Sequence, residues 1–298
     1  MHNELGINWN KNFRIFSKDA SKAASLGQVH KAVTHDGMNV ACKLQYPDMR
    51  SAIDADLRQL KVIFSIFERY DKAISTKYIH EELSTRLLEE LDYKREARHC
   101  KLYNHMLRDE PAVHIPIIQD SLSTDRLLTA EWLDGEHILS FKNAPQEQRN
   151  EIALNLFRAW YVPFYYYGVI HGDPHLGNYS IRKDNSINLL DFGCVRVFRP
   201  QFIEGVINLY KALMNEDYDM AVAAYESWGF KDLSKDQIET LNIWASFLYG
   251  PVMDDSVRPI GEVTNGVYGR ETAEKVHKKL KELGGITVPR EFVFMDRA

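Results

Sequence analysis

The sequence predicts an α+β fold, with a small β-rich N-terminal part that also carries helices and a larger, mainly helical C-terminal part. Four observations predict it. Residues 26–45 are β-prone around the turn His35-Asp36-Gly37, and apolar stripes with a helical period follow over residues 49–107. A second, short hairpin pattern covers residues 178–190, and the sequence after Arg199 is mainly helical.

The N-terminal part begins with a hairpin and continues with helices. Residues 39–45 alternate as a strand, so Ala41 and Lys43 share one face while the residues between and beside them point into the core. Two helical stripes follow, formed by Ile53, Leu57, Leu60, Phe64 and Phe67 and by Ile79, Leu83, Leu87 and Leu91.

The middle of the chain returns to short strands before the C-terminal part begins. Residues 112–118 and 126–131 are strand-like, and the turn Asp134-Gly135 marks the crossing between the two parts, which we place at residues 1–134 and 135–298. Residues 146–168 are again helical, and Pro163 is expected to kink or divide that helix.

Composition excludes several classes of protein. The 298 residues carry 37 basic and 42 acidic side chains, a net charge of -5, so no overall basic field indicates a nucleic-acid partner. Three widely spaced cysteines indicate a reducing compartment rather than a disulfide framework. No apolar run approaches the ~18 residues of a membrane span. We therefore expect a cytoplasmic location, with contact at a membrane surface left open.

The residues His171-Gly172-Asp173-Pro174-His175-Leu176-Gly177-Asn178, followed by Leu189-Leu190-Asp191-Phe192-Gly193, carry the strongest functional signal. Asp173 and Asn178 have the Asp-x-x-x-x-Asn spacing of kinase catalytic loops, in which the aspartate takes the proton of an acceptor hydroxyl and the asparagine holds a metal ion. Asp191 ends an apolar strand and is the second predicted metal ligand. A capped turn before a hairpin is the alternative for the first motif alone.

A basic group is predicted opposite these acids. Ala41 leaves room for a flat adenine ring, and Lys43 on the same face reaches the phosphates. Glu96 is the predicted partner of the Lys43 ammonium, with Asp92 one helical turn away, so that Lys43 lies between two carboxylates. The alternative is a solvated helix face paired with Lys94, Arg95 and Arg98.

No Gly-x-Gly-x-x-Gly loop precedes Lys43. In its place stands the segment Lys22-Ala23-Ala24-Ser25-Leu26-Gly27-Gln28-Val29-His30. Since alanine restricts the backbone more than glycine, we expect a stiff phosphate-covering turn, with a plain β-turn as the alternative.

Two further groups have competing interpretations. The aromatic residues Trp160, Tyr161, Phe164, Tyr165, Tyr166 and Tyr167 are expected to pack in the core beneath the catalytic loop rather than to form a lipid-contacting surface. His171 and His175 have no third nitrogen or thiolate placed to complete a zinc site, so His171 is assigned a structural role.

This ordered set of motifs resembles the UbiB-like (AarF domain) family of atypical kinases over residues 20–196. The resemblance implies a two-lobed, protein-kinase-like fold that binds ATP with Mg²⁺. It implies a setting in ubiquinone or other isoprenoid-lipid metabolism, with an isoprenoid or quinone-precursor lipid, a membrane surface or a biosynthetic complex as further partners.

The resemblance also implies roles for individual residues. Asp173 and Lys43 would be catalytic, and Asn178 and Asp191 would be the metal ligands. The remaining nucleotide-binding residues would be Ala23, Ala24, Ser25, Gly27, Gln28, Ala41, Glu90, Asp92, Glu96 and Glu131, with Glu90 and Asp92 forming the Glu-x-Asp motif of the family.

Three features differ from the family pattern. Lys22 stands where the family usually has alanine, and the N-terminal Lys-x-Gly-Gln extension is missing from the sequence. The chain also ends at Ala298 without a helix-ending signal, and we expect a fragment or a misassigned start.

The sequence favours an ATP-dependent small-molecule or lipid kinase, or an ATPase. No Ala-Pro-Glu segment follows Gly193, which argues against a protein substrate. The alternative is a nucleotide-binding regulatory module without productive phosphoryl transfer, which the stiff alanine loop favours. A relative of aminoglycoside or choline kinases would share the His-Gly-Asp loop but does not account for residues 25–30 or for Glu90 and Asp92.

Overall fold

The structure is a computed structural model of the chain, and it describes residues 1–24, 26–173, 175–256 and 267–293. These residues form two compact units. Met1–Leu57 and Ser84–Val197 make the first unit, while Arg58–Leu83 and the described residues from Phe198 onward make the second. The division at residues 134 and 135 stays a prediction.

In the described residues of the first unit the strands form three sheets. Two of these sheets are antiparallel, and the sheet that contains β5 is mixed. Strands β1, β3, β4 and β6 pair in that order, with β2 also paired to β3; β5, β10, β9 and β7 form a second sheet, and β8 pairs with β11. The strands are β1 (Ile15–Phe16), β2 (Lys22–Ala24), β3 (Gly27–Val33), β4 (Asn39–Gln45), β5 (Val113–His114), β6 (Leu127–Glu131), β7 (Glu136–His137), β8 (Val169–His171), β9 (Tyr179–Ile181), β10 (Ile187–Leu189) and β11 (Val195–Val197).

Helices make up most of the remaining regular structure. They are α1 (His2–Leu5), α2 (Met49–Tyr70), α3 (Lys77–Glu89), α4 (Tyr93–Met106), α5 (Gln146–Tyr167), α6 (Pro200–Asn215), α7 (Tyr218–Ser227), α8 (Lys235–Met253) and α9 (Val267–Glu282). An antiparallel sheet in the N-terminal region with a mainly helical remainder confirms the predicted α+β class. None of the helices in the described ranges is long and apolar enough to cross a bilayer.

The first predicted hairpin is confirmed as β3 and β4. The two strands pair antiparallel from Gly27 with Gln45 to Val33 with Asn39, and the turn contains Gly37 at φ +90°. That dihedral lies in the region that only glycine adopts without strain. Val40 and Cys42 are fully buried, which places Ala41 and Lys43 on the opposite face of β4.

Helix α4 places an acidic side chain in the interior of the first unit. Asp92 precedes the helix, and its carboxylate accepts the Arg95 N–H at 2.9 Å, which satisfies one of the unpaired amides at the helix start. The buried face of α4 repeats with the helical period and consists of Tyr93, Glu96, Ala97, Cys100, Tyr103 and Met106. Glu96 is thus held in an otherwise mainly apolar face.

The second predicted hairpin is confirmed as β9 and β10. Asn185 occupies its turn with φ +64°, and the Leu190 N–H donates to the Asn178 carbonyl at 3.0 Å. This pairing brings the residue before β9 next to the residues after β10. Asn178 and Asp191 therefore lie at the same end of the hairpin.

Helix α5 runs through Pro163, and its last tyrosines differ from the prediction. Pro163 lies inside the helix without dividing it, and the alternative that it kinks the helix stays a prediction. Core packing is confirmed for Phe164, which is 3% exposed, but is wrong for Tyr165, Tyr166 and Tyr167, which are 46%, 72% and 43% exposed.

Helix α2 carries the predicted apolar stripe, and most of that stripe is at least partly covered. Ile53 is buried and Leu57, Leu60 and Phe64 are partly buried, while Phe67 is 44% exposed. Further apolar residues of α2 that lie outside the stripe are exposed, namely Val62, Ile63, Ile66 and Tyr70. A helical period shows that one face is apolar, and it does not show what covers that face.

The second unit has its own aromatic core. Phe202 stacks on Phe198 with ring centroids 4.4 Å apart, and its carbonyl accepts the Trp228 indole N–H at 2.9 Å. A Cβ on Gly205 would approach Trp228 Nε1 to 2.5 Å, so glycine lets α6 and α7 pack closely. The buried Glu82 pairs with Arg290 in the same unit at 2.8 Å.

Candidate active site

The Lys43 ammonium joins two carboxylates that come from distant parts of the chain. Its Nζ lies 2.8 and 2.9 Å from the two oxygens of Glu96 and 2.9 Å from Oδ2 of Asp191. Burial alone would lower the pKa of Lys43, but the Glu96 and Asp191 charges outweigh it and raise the pKa above its ordinary value. Lys43 is therefore a fixed positive charge.

Lys43 lowers the pKa of both carboxylates, but their net pKa shifts have opposite directions. Burial raises the pKa of Glu96, an effect that the Lys43 charge only partly offsets. For Asp191, burial also acts upward, but Lys43 and the N–H of Gly193, which donates to Oδ1 at 2.9 Å, lower the pKa below its usual range. Asp191 is therefore ionised at neutral pH.

Asp173 and Asn178 form a pair of their own across a short turn after β8. The Asn178 side-chain nitrogen donates to Oδ2 of Asp173 at 2.7 Å and to its backbone carbonyl at 3.2 Å. Because both donations come from the amide nitrogen, the amide oxygen is the atom that can face a cation. Pro174, between them, lies outside the described residues.

These residues line one cavity of about 540 Å³ in the first unit, a size common for small-molecule sites. Of the predicted site residues, the cavity is lined by Ala23, Ala24, Ala41, Lys43, Glu96, Glu131, Asp173, Asn178 and Asp191. The structure thus brings together residues from β2, β4, α4, β6 and the two predicted catalytic motifs.

Ala23 and Ala24, both on β2, line one side of this cavity. Ser25 lies outside the described residues. Gly27 and Gln28 are on β3, outside the lining that the described residues form. A Cβ on Gly27 would meet the Leu44 carbonyl at 2.2 Å, so this glycine permits close strand pairing.

Asp92 is not placed as predicted. Its carboxylate caps α4 and lies 3.8 Å from Arg98, so the prediction that Lys43 lies between Asp92 and Glu96 is wrong for Asp92. Glu90 is half-buried, and burial together with the Asp191 and Asp173 charges raises its pKa. A nucleotide contact for either residue stays a prediction.

Comparison with known proteins assigns the chain to a family. Residues 1–225 match the family described as the ABC1 atypical kinase-like domain. The chain belongs to this family. The resemblance to UbiB-like, AarF domain-containing kinases is thereby confirmed.

Individual relatives agree with the family match. The protein named atypical kinase COQ8, mitochondrial, from Saccharomyces cerevisiae is 32% identical over 251 residues, which make up 81% of this chain and 50% of that protein. AarF domain-containing protein kinase 1 from Mus musculus is 30% identical over 237 residues, or 77% of this chain and 45% of that protein. The chain spans about half the length of these relatives.

A solved structure supports the fold alone. The Rv3197–erythromycin complex from Mycobacterium tuberculosis superimposes with a TM-score of 0.63 at 23% identity, covering 97% of this chain and 79% of that chain. The α+β, kinase-like fold of this ABC1 family member is consistent with that likeness.

Sequence reasoning missed His99 in this ABC1 kinase-like site. Its Nδ1–H donates to the Phe192 carbonyl at 3.1 Å, next to Asp191. His171 Nε2–H donates to the Asp191 carbonyl at 2.5 Å. This contact holds the backbone at Asp191 and agrees with the structural role predicted for His171. His99 follows Glu96 by three residues on α4, so the shared helix face was a signal that could have identified it.

The donor set fits a magnesium ion. Mg²⁺ prefers oxygen ligands, and Asp191 and Asn178 offer a carboxylate and an amide oxygen. In the part of the chain that the structure describes, no three His, Cys, Asp or Glu side chains come together as a metal site.

Proposed function

We propose that this ABC1 family member binds Mg-ATP in the cavity below the β2–β3 turn and transfers or hydrolyses the γ-phosphoryl group. The observation that carries the proposal is the bridge from Lys43 to both Glu96 and Asp191, with Asp173 and Asn178 lining the same cavity. Phosphoryl transfer needs such positioned charges more than it needs covalent chemistry.

Each residue has a defined task in this proposal. Glu96 holds the Lys43 ammonium toward the cavity, where it attracts phosphate oxygens. Asp191 and Asn178 would hold the magnesium ion, which neutralises phosphate charge when bound. Asp173 accepts the proton of the acceptor hydroxyl or of water, and the Asn178 amide orients its carboxylate.

The proposed setting is isoprenoid-lipid metabolism, including that of ubiquinone, with a lipid-like acceptor. The support is the motif set shared with the UbiB-like family. Contact with a membrane surface or a biosynthetic complex belongs to the same proposal.

Magnesium-dependent ADP release, measured with and without isoprenoid-phenol lipids, tests the activity. Asp191→Asn should abolish release and Asp173→Asn should reduce it by roughly 10²-fold or more, the usual range for a catalytic base. Asp217→Asn is the matched control, because Asp217 caps α7 in the second unit and asparagine caps helices equally well. Full activity of Asp191→Asn would refute the metal assignment.

The alternative is a module that binds ATP without turning it over. The β2–β3 turn favours it, because Ala24 pairs directly with Gly27 and leaves little backbone freedom for wrapping phosphates. Stabilisation by Mg-ATP in thermal unfolding, with no ADP formed over a long incubation, would support this module over the kinase.

A further inference from the structure

Tyr93 lies against the Lys43 ammonium from inside the first unit. It is the first residue of α4, it is 1% exposed, and it shares the buried face of that helix with Glu96. The Lys43 Nζ lies 5.1 Å from the centroid of the Tyr93 ring, a distance at which a cation is attracted to an aromatic face. Tyr93 is therefore a third neighbour of this ammonium, besides Glu96 and Asp191.

The Tyr93 hydroxyl is buried and has no hydrogen-bond partner among the described residues. Buried tyrosine hydroxyls usually find a partner, and one that is left unpaired costs stability. A phenylalanine would fill the same space without that cost. The unpaired hydroxyl therefore indicates a function that requires another arrangement of its neighbours.

The surroundings of Tyr93 keep its hydroxyl protonated. Burial is the main reason that the pKa of Tyr93 is raised above its ordinary value. The Lys43 charge opposes this rise, and three carboxylates add to it, those of Glu96, Asp191 and Glu90. A protonated hydroxyl donates a hydrogen bond, and carboxylates accept one. Tyr93 is thus a donor with acceptors nearby.

The Lys43 ammonium has no donor to spare in this arrangement. It carries three N–H groups, and its Nζ lies 2.8 and 2.9 Å from the two oxygens of Glu96 and 2.9 Å from Oδ2 of Asp191. In a kinase-like site, this lysine binds oxygens of the α- and β-phosphates and keeps a contact with the helix carboxylate. Two N–H groups would turn to the phosphates, so one would remain for Glu96.

Glu96 would then lose a donor at a position with a 3% exposed side chain. It would keep one N–H of Lys43 and the backbone N–H of Phe192, which also donates to it. A buried carboxylate oxygen without its donor is costly. Tyr93 precedes Glu96 by three residues on the same helix face, where side chains are neighbours. The Tyr93 hydroxyl is therefore placed to replace the lost donor.

We propose that Tyr93 is a positioning residue of the nucleotide site, whose hydroxyl donates to Glu96 when Lys43 turns from the carboxylates to the phosphates of ATP. This inference rests on the proposed ATP site. It adds that the hydroxyl stabilises the nucleotide-bound arrangement and destabilises the chain without a nucleotide. A residue with a merely structural role would stabilise both.

Tyr93→Phe tests the proposal, because it removes the hydroxyl and keeps the ring. Without nucleotide, the variant should be at least as stable as the unaltered chain in denaturant unfolding, since an unpaired buried hydroxyl is removed. Its dissociation constant for Mg-ATP, measured by calorimetry, should be roughly tenfold larger, the usual effect of losing a hydrogen bond to a charged group. The rise in unfolding temperature that Mg-ATP produces should be smaller in the variant.

Tyr225→Phe is the matched control. Tyr225 is a buried tyrosine of the second unit, and its hydroxyl donates to Oδ1 of Asn242 at 2.9 Å. Because Tyr225→Phe removes a paired hydroxyl, it should lower the free energy of unfolding and leave the dissociation constant for Mg-ATP unchanged. The two variants thus differ in the expected direction of the stability change.

Glu90→Ala tests which carboxylate accepts the hydrogen bond. If the acceptor is Glu96, Tyr93→Phe should weaken Mg-ATP binding by the same factor in the Glu90→Ala chain as in the unaltered one. If the effect of Tyr93→Phe disappeared in the Glu90→Ala chain, Glu90 would be the acceptor and the proposal would be wrong.

The remaining outcomes also have a defined meaning. Equal affinities of Tyr93→Phe and the unaltered chain for Mg-ATP overturn this inference and leave the proposed function standing. Lower stability of Tyr93→Phe without nucleotide would show that the hydroxyl already has a partner, and it also overturns the inference. Absence of Mg-ATP binding to the unaltered chain overturns the proposed function and this inference together.

Discussion

The ammonium of Lys43 lies 2.9 Å from Oδ2 of Asp191, although 148 residues separate the two in the chain. The same ammonium holds the buried Glu96, which has a 3% exposed side chain. Lys43 thus has two tasks, compensating a buried charge and positioning the carboxylate of the proposed metal site. Variants at these positions must separate stability from activity.

Lys43→Met should destabilise the chain strongly. It leaves the Glu96 carboxylate buried without its counter-charge, and removing one partner of a buried pair costs about 3–5 kcal/mol. In the double variant Lys43→Met with Glu96→Leu, the free energy of unfolding should return toward that of the unaltered chain while ADP release stays absent. Chemical denaturation and an ADP assay measure the two quantities.

Lys94→Met is the matched control for this pair. Lys94 forms an ion pair with Asp125 in which the two side chains are 58% and 72% exposed, and such surface pairs contribute about 0–1 kcal/mol. If the double variant remained as unstable as Lys43→Met, Glu96 would not be the source of the cost.

His99 should act through the backbone of the Asp191-Phe192-Gly193 segment. His99→Leu removes the donor to the Phe192 carbonyl, a hydrogen bond worth about 0.5–1.5 kcal/mol, so kcat for ADP release should fall by up to about tenfold. The KM for ATP should change less, because His99 holds the proposed metal-binding segment and not the nucleotide. Steady-state kinetics over a magnesium titration measure both.

A conservative variant distinguishes positioning from packing at this residue. His99→Asn keeps an N–H donor near the position of Nδ1 and should recover most of the lost rate. His105→Leu, an exposed histidine on the same helix, is the control. If His99→Asn were as slow as His99→Leu, packing of the ring would explain the effect.

Much of this arrangement could be predicted from the sequence because the key signals are local. The alternation around Lys43 predicted its face, and the hairpin between Asn178 and Asp191 predicted that they come together. Each depends on the chain within about a dozen residues, where period and turn chemistry act directly.

The errors concern what surrounds a side chain in space. Asp92 and Glu96 were predicted to share one helix face. In the structure, Asp92 precedes α4 and its carboxylate caps the start of the helix. The tyrosines at 165–167 and the outer face of α2 are apolar in pattern but exposed, because pattern does not determine which surface covers them.

We expect substitutions of Asp92 and of Glu90 to have different effects on the rate of ADP release. Asp92→Asn keeps the cap, so both the free energy of unfolding and the rate of ADP release should stay close to those of the unaltered chain. Asp92→Ala should lose about 1 kcal/mol of stability, the usual cost of removing a helix N-cap. Denaturant unfolding and the ADP assay provide these values.

Glu90→Gln provides the contrast within the same motif. The Glu90 carboxyl is half-buried and acts electrostatically with Asp173 and Asp191, so removing its charge should change the rate of ADP release more than Asp92→Asn does. Equal effects of the two variants would contradict this assignment and return Asp92 to the nucleotide site.

The pH dependence of stability should report on Cys42, which is fully buried in β4. Burial raises the pKa of its thiol to about 11. The folded state therefore retains the thiol proton over a pH range in which the unfolded chain, with a thiol pKa of about 8.5, has lost it. A raised acid pKa means that stability falls as pH rises between these two values, by at most about 1.4 kcal/mol per pH unit.

Cys42→Val removes this titration while keeping an apolar side chain of similar size. The free energies of unfolding of the variant and the unaltered chain should differ by a constant amount below pH 8. Above that pH the unaltered chain should lose stability relative to the variant, with the difference levelling off near pH 11. Denaturant unfolding at matched ionic strength measures this difference in free energy of unfolding. If the difference stayed constant from pH 7 to 11, the Cys42 thiol would ionise as readily in the folded chain as in the unfolded one, and the prediction would be wrong.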